Sequence, residues 1–188
     1  MRIISGKFKK KKLVLPDSKI TRPLRDYVKE SLFNLLSHSP LLNFKFNKSI
    51  ILDIFSGSGS FGIECISRGA SHTTFIENNK NAFSILKKNI QNLGLENESK
   101  LILNDFLKID LKFFLRESPD LVFLDPPFES RLLQEIFEKI LKNKEYLLNS
   151  VIIVHYEVSK KFNFNNYLDE IFKKKYGRSI VFFGKIKN

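Results

Sequence analysis

Ile50-Ile51-Leu52-Asp53-Ile54-Phe55-Ser56-Gly57-Ser58-Gly59-Ser60-Phe61-Gly62 reads as an apolar strand, a glycine-rich turn and the opening of a helix. Glycine tolerates positive φ and lets backbone N–H groups approach a ligand, so this order of elements builds a cradle at the carboxyl end of a strand. The spacing Gly57-x-Gly59-x-x-Gly62 matches the fingerprint of nucleotide-binding α/β folds. Glu77, with Asn78 beside it, ends the next apolar run, where a carboxylate can accept both ribose hydroxyls of a nucleoside lying over the first loop.

The alternation continues outward from this loop. Apolar strands are predicted at 50–54, 73–76, 100–103, 121–124 and 151–155, with helices at about 60–69, 79–93, 107–116 and 130–142. Gly69 and Gly94 stand where C-terminal caps belong. Strand, helix and strand joined by short links require parallel pairing, so the fold class is α/β with a doubly wound, mostly parallel sheet. The tail reads as an antiparallel hairpin, 171–176 and 179–185, turning at Gly177-Arg178. Ahead of the sheet, residues 1–16 read as a small basic β-hairpin around Gly6-Lys7. Thr21-Arg22-Pro23 then opens a helix with Leu24, Val28, Leu32 and Leu35 on one face and Arg25, Lys29 and Glu30 largely on the other. The expected division is an N-terminal basic extension, 1–40, and a larger domain, 41–188.

Carboxylates close successive strands. Asp53 precedes the glycines, where a pyrophosphate would meet unfavourable charge and a cationic ligand would be welcome. Asn104-Asp105-Phe106 follows the third strand and offers an amide or carboxylate to an adenine amino group, although Asp105 read alone serves equally as a helix N-cap. Together with Glu77 and Asp125, these residues favour S-adenosylmethionine over a dinucleotide. Asp125-Pro126-Pro127-Phe128 follows the apolar run Leu121-Val122-Phe123-Leu124. Consecutive prolines carry no ladder donor and cannot continue a helix, so the chain leaves the sheet rigidly there. A planar amine-bearing base can stack on Phe128 while its NH₂ donates to Asp125 and to the Pro126 carbonyl.

The composition narrows the class further. The 188 residues carry 32 Lys+Arg against 20 Asp+Glu, a net charge of +12, which favours a polyanionic partner. Residues 1–30 hold ten of those basic side chains and three acids, and Lys173-Lys174-Lys175 and Arg178 add a second basic cluster. The single cysteine allows no intrachain disulfide, and no Cys/His group has metal-ligand spacing, so a metal-free site is expected. The N-terminus lacks an apolar core of signal-peptide length and no apolar run is long enough to span a bilayer, which leads to the expectation of a cytoplasmic protein.

Four blocks carry a family resemblance: Met1-Arg2-Ile3-Ile4-Ser5-Gly6-Lys7-Phe8; Thr21-Arg22-Pro23 with Asp26-Tyr27-Val28-Lys29-Glu30-Ser31-Leu32-Phe33-Asn34; the Asp53–Gly62 loop; and Asp125–Phe128. With the closing Tyr176-Gly177-Arg178-Ser179, the chain resembles the RsmD family of bacterial 16S ribosomal RNA (guanine-N2)-methyltransferases over nearly its full length. It departs from the usual pattern in Lys9–Lys12 and in Phe128, which replaces a frequent tyrosine. The resemblance implies a seven-stranded Rossmann-type sheet using S-adenosyl-L-methionine. It implies that Asp53, Phe55, Gly57 and Gly59 line the methionine end, Glu77 the ribose and Asp105 the adenine, with Ser56, Asn78, Asn104 and Phe106 also among the cofactor-binding residues. Asp125, Pro126, Pro127 and Phe128 would hold the base. The basic residues Lys9, Lys10, Lys11, Lys12, Arg25, Lys29, Lys174 and Arg178 would meet phosphates, and Arg22 either the cofactor carboxylate or RNA. The implied partner is 16S ribosomal RNA in an assembling small subunit; a monomer is expected, since the sequence has no obvious coiled-coil seam. The rival readings are a DNA adenine-N6 methyltransferase, a non-catalytic RNA-binding or assembly protein, and a nicotinamide oxidoreductase.

Overall fold

The alternating apolar runs close into a seven-stranded sheet. In the computed structural model, which describes residues 1–16, 26–115, 117–127, 130–158 and 162–187, the elements run α1 (Asp26–His38), β1 (Ile50–Ile54), α2 (Ser60–Ser67), β2 (His72–Glu77), α3 (Lys80–Leu93), β3 (Ser99–Leu103), α4 (Leu111–Phe114), β4 (Leu121–Leu124), α5 (Ser130–Lys142), α6 (Lys144–Leu147), β5 (Val151–Glu157), a 3₁₀ turn (Phe164–Asn166), β6 (Leu168–Tyr176) and β7 (Ser179–Ile186). The spatial order is β3-β2-β1-β4-β5-β7-β6. β1 to β5 are mutually parallel, and β7 runs antiparallel between β5 and β6.

The chain winds outward from β1 to β3 and then returns to β4, so the order reverses between β1 and β4. In open α/β sheets such a reversal opens a crevice above the carboxyl ends of the two strands, because their following loops diverge to opposite sides. Ile54 pairs with Leu124 and Leu124 with Val154. That register sets the Phe55 loop, Asp125 and His155 side by side at the crevice.

Strand periodicity distributes the core. Leu52, Ile54, Val122 and Leu124 face α5, whose Leu133, Ile136, Phe137 and Ile140 are buried against them. Ile51, Leu121, Phe123 and Ile153 face the other way, against Val28, Leu32 and Phe33 of α1 and Phe61 and Cys65 of α2. A third cluster joins Ile3 and Leu13 of the N-terminal segment to Ile63, Phe75, Leu86 and Ile90. The N-terminal segment and α1 therefore share cores with the sheet. Among the described residues no helix is long and apolar enough to cross a membrane.

Two local expectations change. The hairpin expected over residues 1–16 shortens to one antiparallel bridge, Arg2 with Lys12, held by Ile3 N to Lys11 O (2.9 Å), Lys10 N to Ile3 O (2.9 Å) and Leu13 N to Met1 O (3.1 Å). Reverse turns (Lys9 N to Gly6 O, 3.2 Å; Lys11 N to Phe8 O, 3.0 Å) and a left-handed Lys10 (φ 72°) consume the backbone groups a ladder would need. The helix expected over 107–116 shrinks to α4, because Asp110 caps it by accepting from Lys112 N (3.0 Å) and Leu115 is already extended. Both expected glycine caps are found: Gly94 (φ 63°) closes α3, and Gly69 (φ 113°) closes α2 in a Schellman turn, Gly69 N donating to Ile66 O and Ala70 N to Cys65 O (both 3.0 Å). The expected helix opening at Thr21-Arg22-Pro23 lies outside the described residues.

Candidate active site

The loop after β1 turns through Phe55 (φ 62°), Gly57 (φ 55°) and Gly59 (φ 79°). Ser56 ties it to β2, its N–H and hydroxyl both donating to Ile76 O (3.1 and 3.2 Å). At Gly62 a Cβ would stand 2.4 Å from the Phe75 ring, so only glycine lets α2 lie this close to β2. A Cβ at Gly57 would meet nothing within 4 Å, which leaves that backbone open to a ligand. Glu77 closes the far side: Oε2 accepts from Gly57 N and Oε1 from Asn79 N, both at 2.8 Å.

Asp53 lies beneath this loop, 1% exposed. Its Oδ2 accepts from Gly62 N (3.0 Å), while Oδ1 is buried without a hydrogen-bond partner among the described residues. Burial pushes its carboxyl up to about 8; the Gly62 N–H opposes the rise, and the charges of Asp125 and Glu77 add to it. A pocket in which like charges crowd one another favours a cation and disfavours a pyrophosphate. The orphaned Oδ1, the open Gly57 backbone and the Glu77 carboxylate fit the ammonium, sulfonium and ribose of S-adenosylmethionine.

Asn104 N donates to Glu77 O (3.1 Å), which brings the loop after β3 to the same rim. Asn104 Oδ1 accepts from Asp105 N (2.8 Å) and Asp105 Oδ1 from Leu107 N (3.0 Å), so Asp105 fixes a turn here rather than capping a helix. The Phe106 ring is 1% exposed and meets Phe55 edge-on at 6.3 Å. Phe106, expected among the cofactor-binding residues, therefore offers no ring to a ligand: its side chain belongs to the core, as a support for Phe55.

Asp125 leaves β4 with its side chain 21% exposed, and its Oδ1 lies 2.8 Å from His155 Nδ1. An ionised carboxylate only accepts hydrogen bonds, so the proton in this contact belongs to Nδ1 and His155 donates. The donor fixes the carboxylate rotamer at the end of β4. Pro126 is buried and Pro127 exposed, while Phe128 lies outside the described residues.

Of the predicted phosphate-facing residues, Lys9–Lys12, Lys174 and Arg178 are exposed. Arg22 and Arg25 lie outside the described residues. Lys29 is a correction: it is 0% exposed and pairs at 3.3 Å with the equally buried Glu64 of α2. Burial dominates and pulls its ammonium below the usual lysine range against the opposing attraction of Glu64. It cannot reach a phosphate. Glu64 also accepts from Ile4 N (2.8 Å), Ser5 N (3.0 Å) and Arg68 Nε (2.9 Å), so this carboxylate clamps α1 and the N-terminal segment onto α2.

Two residues that position the site carry only weak signals in the sequence. His155 follows an apolar run and could face the site, but in the sequence that placement favours a structural histidine. Asn89 is a buried amide within the apolar stripe of α3. Its Nδ2 donates to Ser58 O (2.9 Å) and Val14 O (3.0 Å), and its Oδ1 accepts from Val14 N (2.8 Å). The interruption of that stripe by an amide is the only trace of this role in the sequence.

The family model described as conserved hypothetical protein 95 matches residues 1–185. Ribosomal RNA small subunit methyltransferase D of Buchnera aphidicola subsp. Baizongia pistaciae is 38% identical over 159 residues, covering 84% of this chain and 76% of that protein. Its namesake in Haemophilus influenzae is 38% identical over 166 residues, 85% of this chain and 80% of that one. Among solved structures, the Escherichia coli protein yhhF, described as a methyltransferase, superposes with a TM-score of 0.80 at 28% identity, covering 100% of this chain and 98% of its own.

Proposed function

The chain belongs to the RsmD family of ribosomal RNA small subunit methyltransferases, and we propose that it methylates the exocyclic N2 of a guanine in 16S ribosomal RNA. The observation that carries this reading is the end of β4, where the His155-held Asp125 carboxylate emerges beside the Pro126 carbonyl. The amine of guanine is a poor nucleophile because its lone pair is delocalised into the ring. Two acceptors positioned along its N–H bonds favour rehybridisation toward sp³ and orient the lone pair into the crevice. Held by Asp53, the Phe55–Gly59 loop, Glu77 and Asp105, S-adenosylmethionine supplies an electrophilic methyl group. Asp125 is also placed to take the proton that the amine loses. His155 touches neither reactant and acts through Asp125 as a positioning residue, and proximity supplies most of the rate. Lys9–Lys12, Lys174 and Arg178 contribute charge without base recognition, so specificity falls to the shape of the RNA or of the assembling subunit.

The test is methyl transfer from labelled S-adenosylmethionine to deproteinised 16S RNA, assembled small subunits and duplex DNA in parallel, followed by nucleoside analysis. N2-methylguanosine in either RNA-containing arm is the expected product. N6-methyladenine in the DNA arm would overturn the substrate while keeping the site.

A further inference from the structure

We propose that Tyr27 is a stacking platform for an unpaired RNA nucleotide flanking the target guanine, an inference that rests on the RNA-methyltransferase reading above. Tyr27 lies in the first turn of α1 and is 71% exposed, while Val28 and Lys29 after it are buried. Its ring stands edge-on against Tyr176 (centroids 5.8 Å apart, interplanar angle 79°). Tyr176 is 8% exposed, and its hydroxyl shares a 2.7 Å hydrogen bond with Ser31 Oγ, one helical turn beyond Tyr27. Lys174 Nζ donates to the same Ser31 Oγ (3.3 Å) and stands 5.5 Å over the Tyr176 ring. An exposed aromatic ring on a buried, hydrogen-bonded aromatic base with a cation beside it combines the two elements that bind single-stranded nucleic acid: a face for a base and a charge for its phosphate.

The sheet register places this platform at the catalytic rim. Tyr176 pairs with Ser179 and Ser179 with Glu157, two residues beyond His155. The path from β4 to β6 crosses three interstrand steps, about 14 Å at ordinary strand spacing. Tyr176 belongs to the core face of Phe123 and Ile153, and strand alternation carries Asp125 and His155 to that same face. An RNA strand that delivers one base to Asp125 therefore passes Tyr27 with a nucleotide a few positions away, and Arg178, exposed at the tip of the same hairpin, adds a second phosphate contact. If Tyr27 only covered Tyr176, any apolar side chain would serve, and this distinction makes the proposal testable.

Tyr27→Leu keeps the cover and removes the ring face; Tyr27→Phe keeps both. Stacking free energies per base correspond to a loss of about fivefold to a hundredfold, and an exposed site belongs toward the lower end. Tyr27→Leu is expected to raise KM for the RNA substrate about tenfold, while kcat, S-adenosylmethionine affinity and melting temperature stay unchanged and Tyr27→Phe behaves as wild type. A direct readout uses the unmutated protein: 2-aminopurine placed in turn at each unpaired position flanking the methylated guanine should be quenched at one of them on binding, and not by Tyr27→Leu. Methylation of RNA by the Tyr27→Leu protein with unchanged KM and unchanged quenching would overturn the platform and leave the enzyme reading intact. Failure of the wild-type protein to methylate or bind RNA would instead overturn the reading on which the platform rests.

Discussion

Replacing Asp53 by asparagine isolates the buried carboxylate beneath the glycine loop, and the pH dependence of stability reports the result. The Asp53 carboxyl titrates at about 8 in the folded protein against an ordinary 3.8, chiefly because burial penalises its charge. Between those values the folded state keeps a proton that the unfolded chain has released. The slope of unfolding free energy with pH follows the protons bound unfolded minus those bound folded, here minus one, so this group makes stability fall as pH rises. The loss runs at about 1.4 kcal/mol per pH unit and fades as the folded group itself ionises. From about pH 6 to about pH 8 it amounts to roughly 2 kcal/mol. The amide introduced by Asp53→Asn has no such titration, and its oxygen can still accept from Gly62 N. Urea unfolding of both proteins at the two pH values should show the variant gaining that difference relative to wild type, with all shared titrations cancelling. Parallel pH profiles, within about 0.5 kcal/mol, would refute the reasoning, since Asp53 would then be ionised in the fold as it is in the unfolded chain. The same substitution should weaken S-adenosylmethionine binding in calorimetry, because a bound ammonium would draw the Asp53 carboxyl into its ionised form and pair with it, which an amide cannot do.

Asp125→Ala is expected to abolish turnover while leaving S-adenosylmethionine affinity nearly intact, measured by calorimetry beside a methyl-transfer assay; equal loss of both would contradict the division between the two strand ends. His155→Ala should lower kcat by about a hundredfold through misplacement of the Asp125 carboxylate, with KM for RNA little changed and partial rescue by His155→Asn, which retains a donor. Glu64→Ala removes the partner of a buried lysine and the acceptor of two backbone N–H groups. Chemical denaturation should show a loss of about 3–5 kcal/mol, whereas Glu64→Ala combined with Lys29→Met should recover part of it.

Much of the sheet was legible because its signals are local. The run Leu121–Leu124 before two prolines can only be a strand that stops, and Asn79 and Gly94 bracket α3 with caps that act within one turn. The strand-end carboxylates were legible for the same reason: the end of a parallel strand is where side chains meet a ligand, and each lies next to an apolar run. Periodicity misled at Lys29. It reports the direction of a side chain and says nothing of what stands opposite. Here an acid on another helix, thirty-five residues further along the chain, turns the polar face of α1 into a buried contact.

His155 and Asn89 show the same limit from the functional side. Each matters through a partner remote in the chain: Asp125 for His155, Ser58 and Val14 for Asn89. A hydrogen bond across such distances depends on strand order and register, which no window of sequence contains. The adjacency of β4 and β5 makes His155, inside one strand, a neighbour of the aspartate just past the end of the other. The residues proposed to touch a ligand were accordingly the easier part to read, since their chemistry is visible in the side chain itself. Those that hold the touching groups in place became visible only once the sheet had an order, because a donor acquires a role from the acceptor that the fold brings to it.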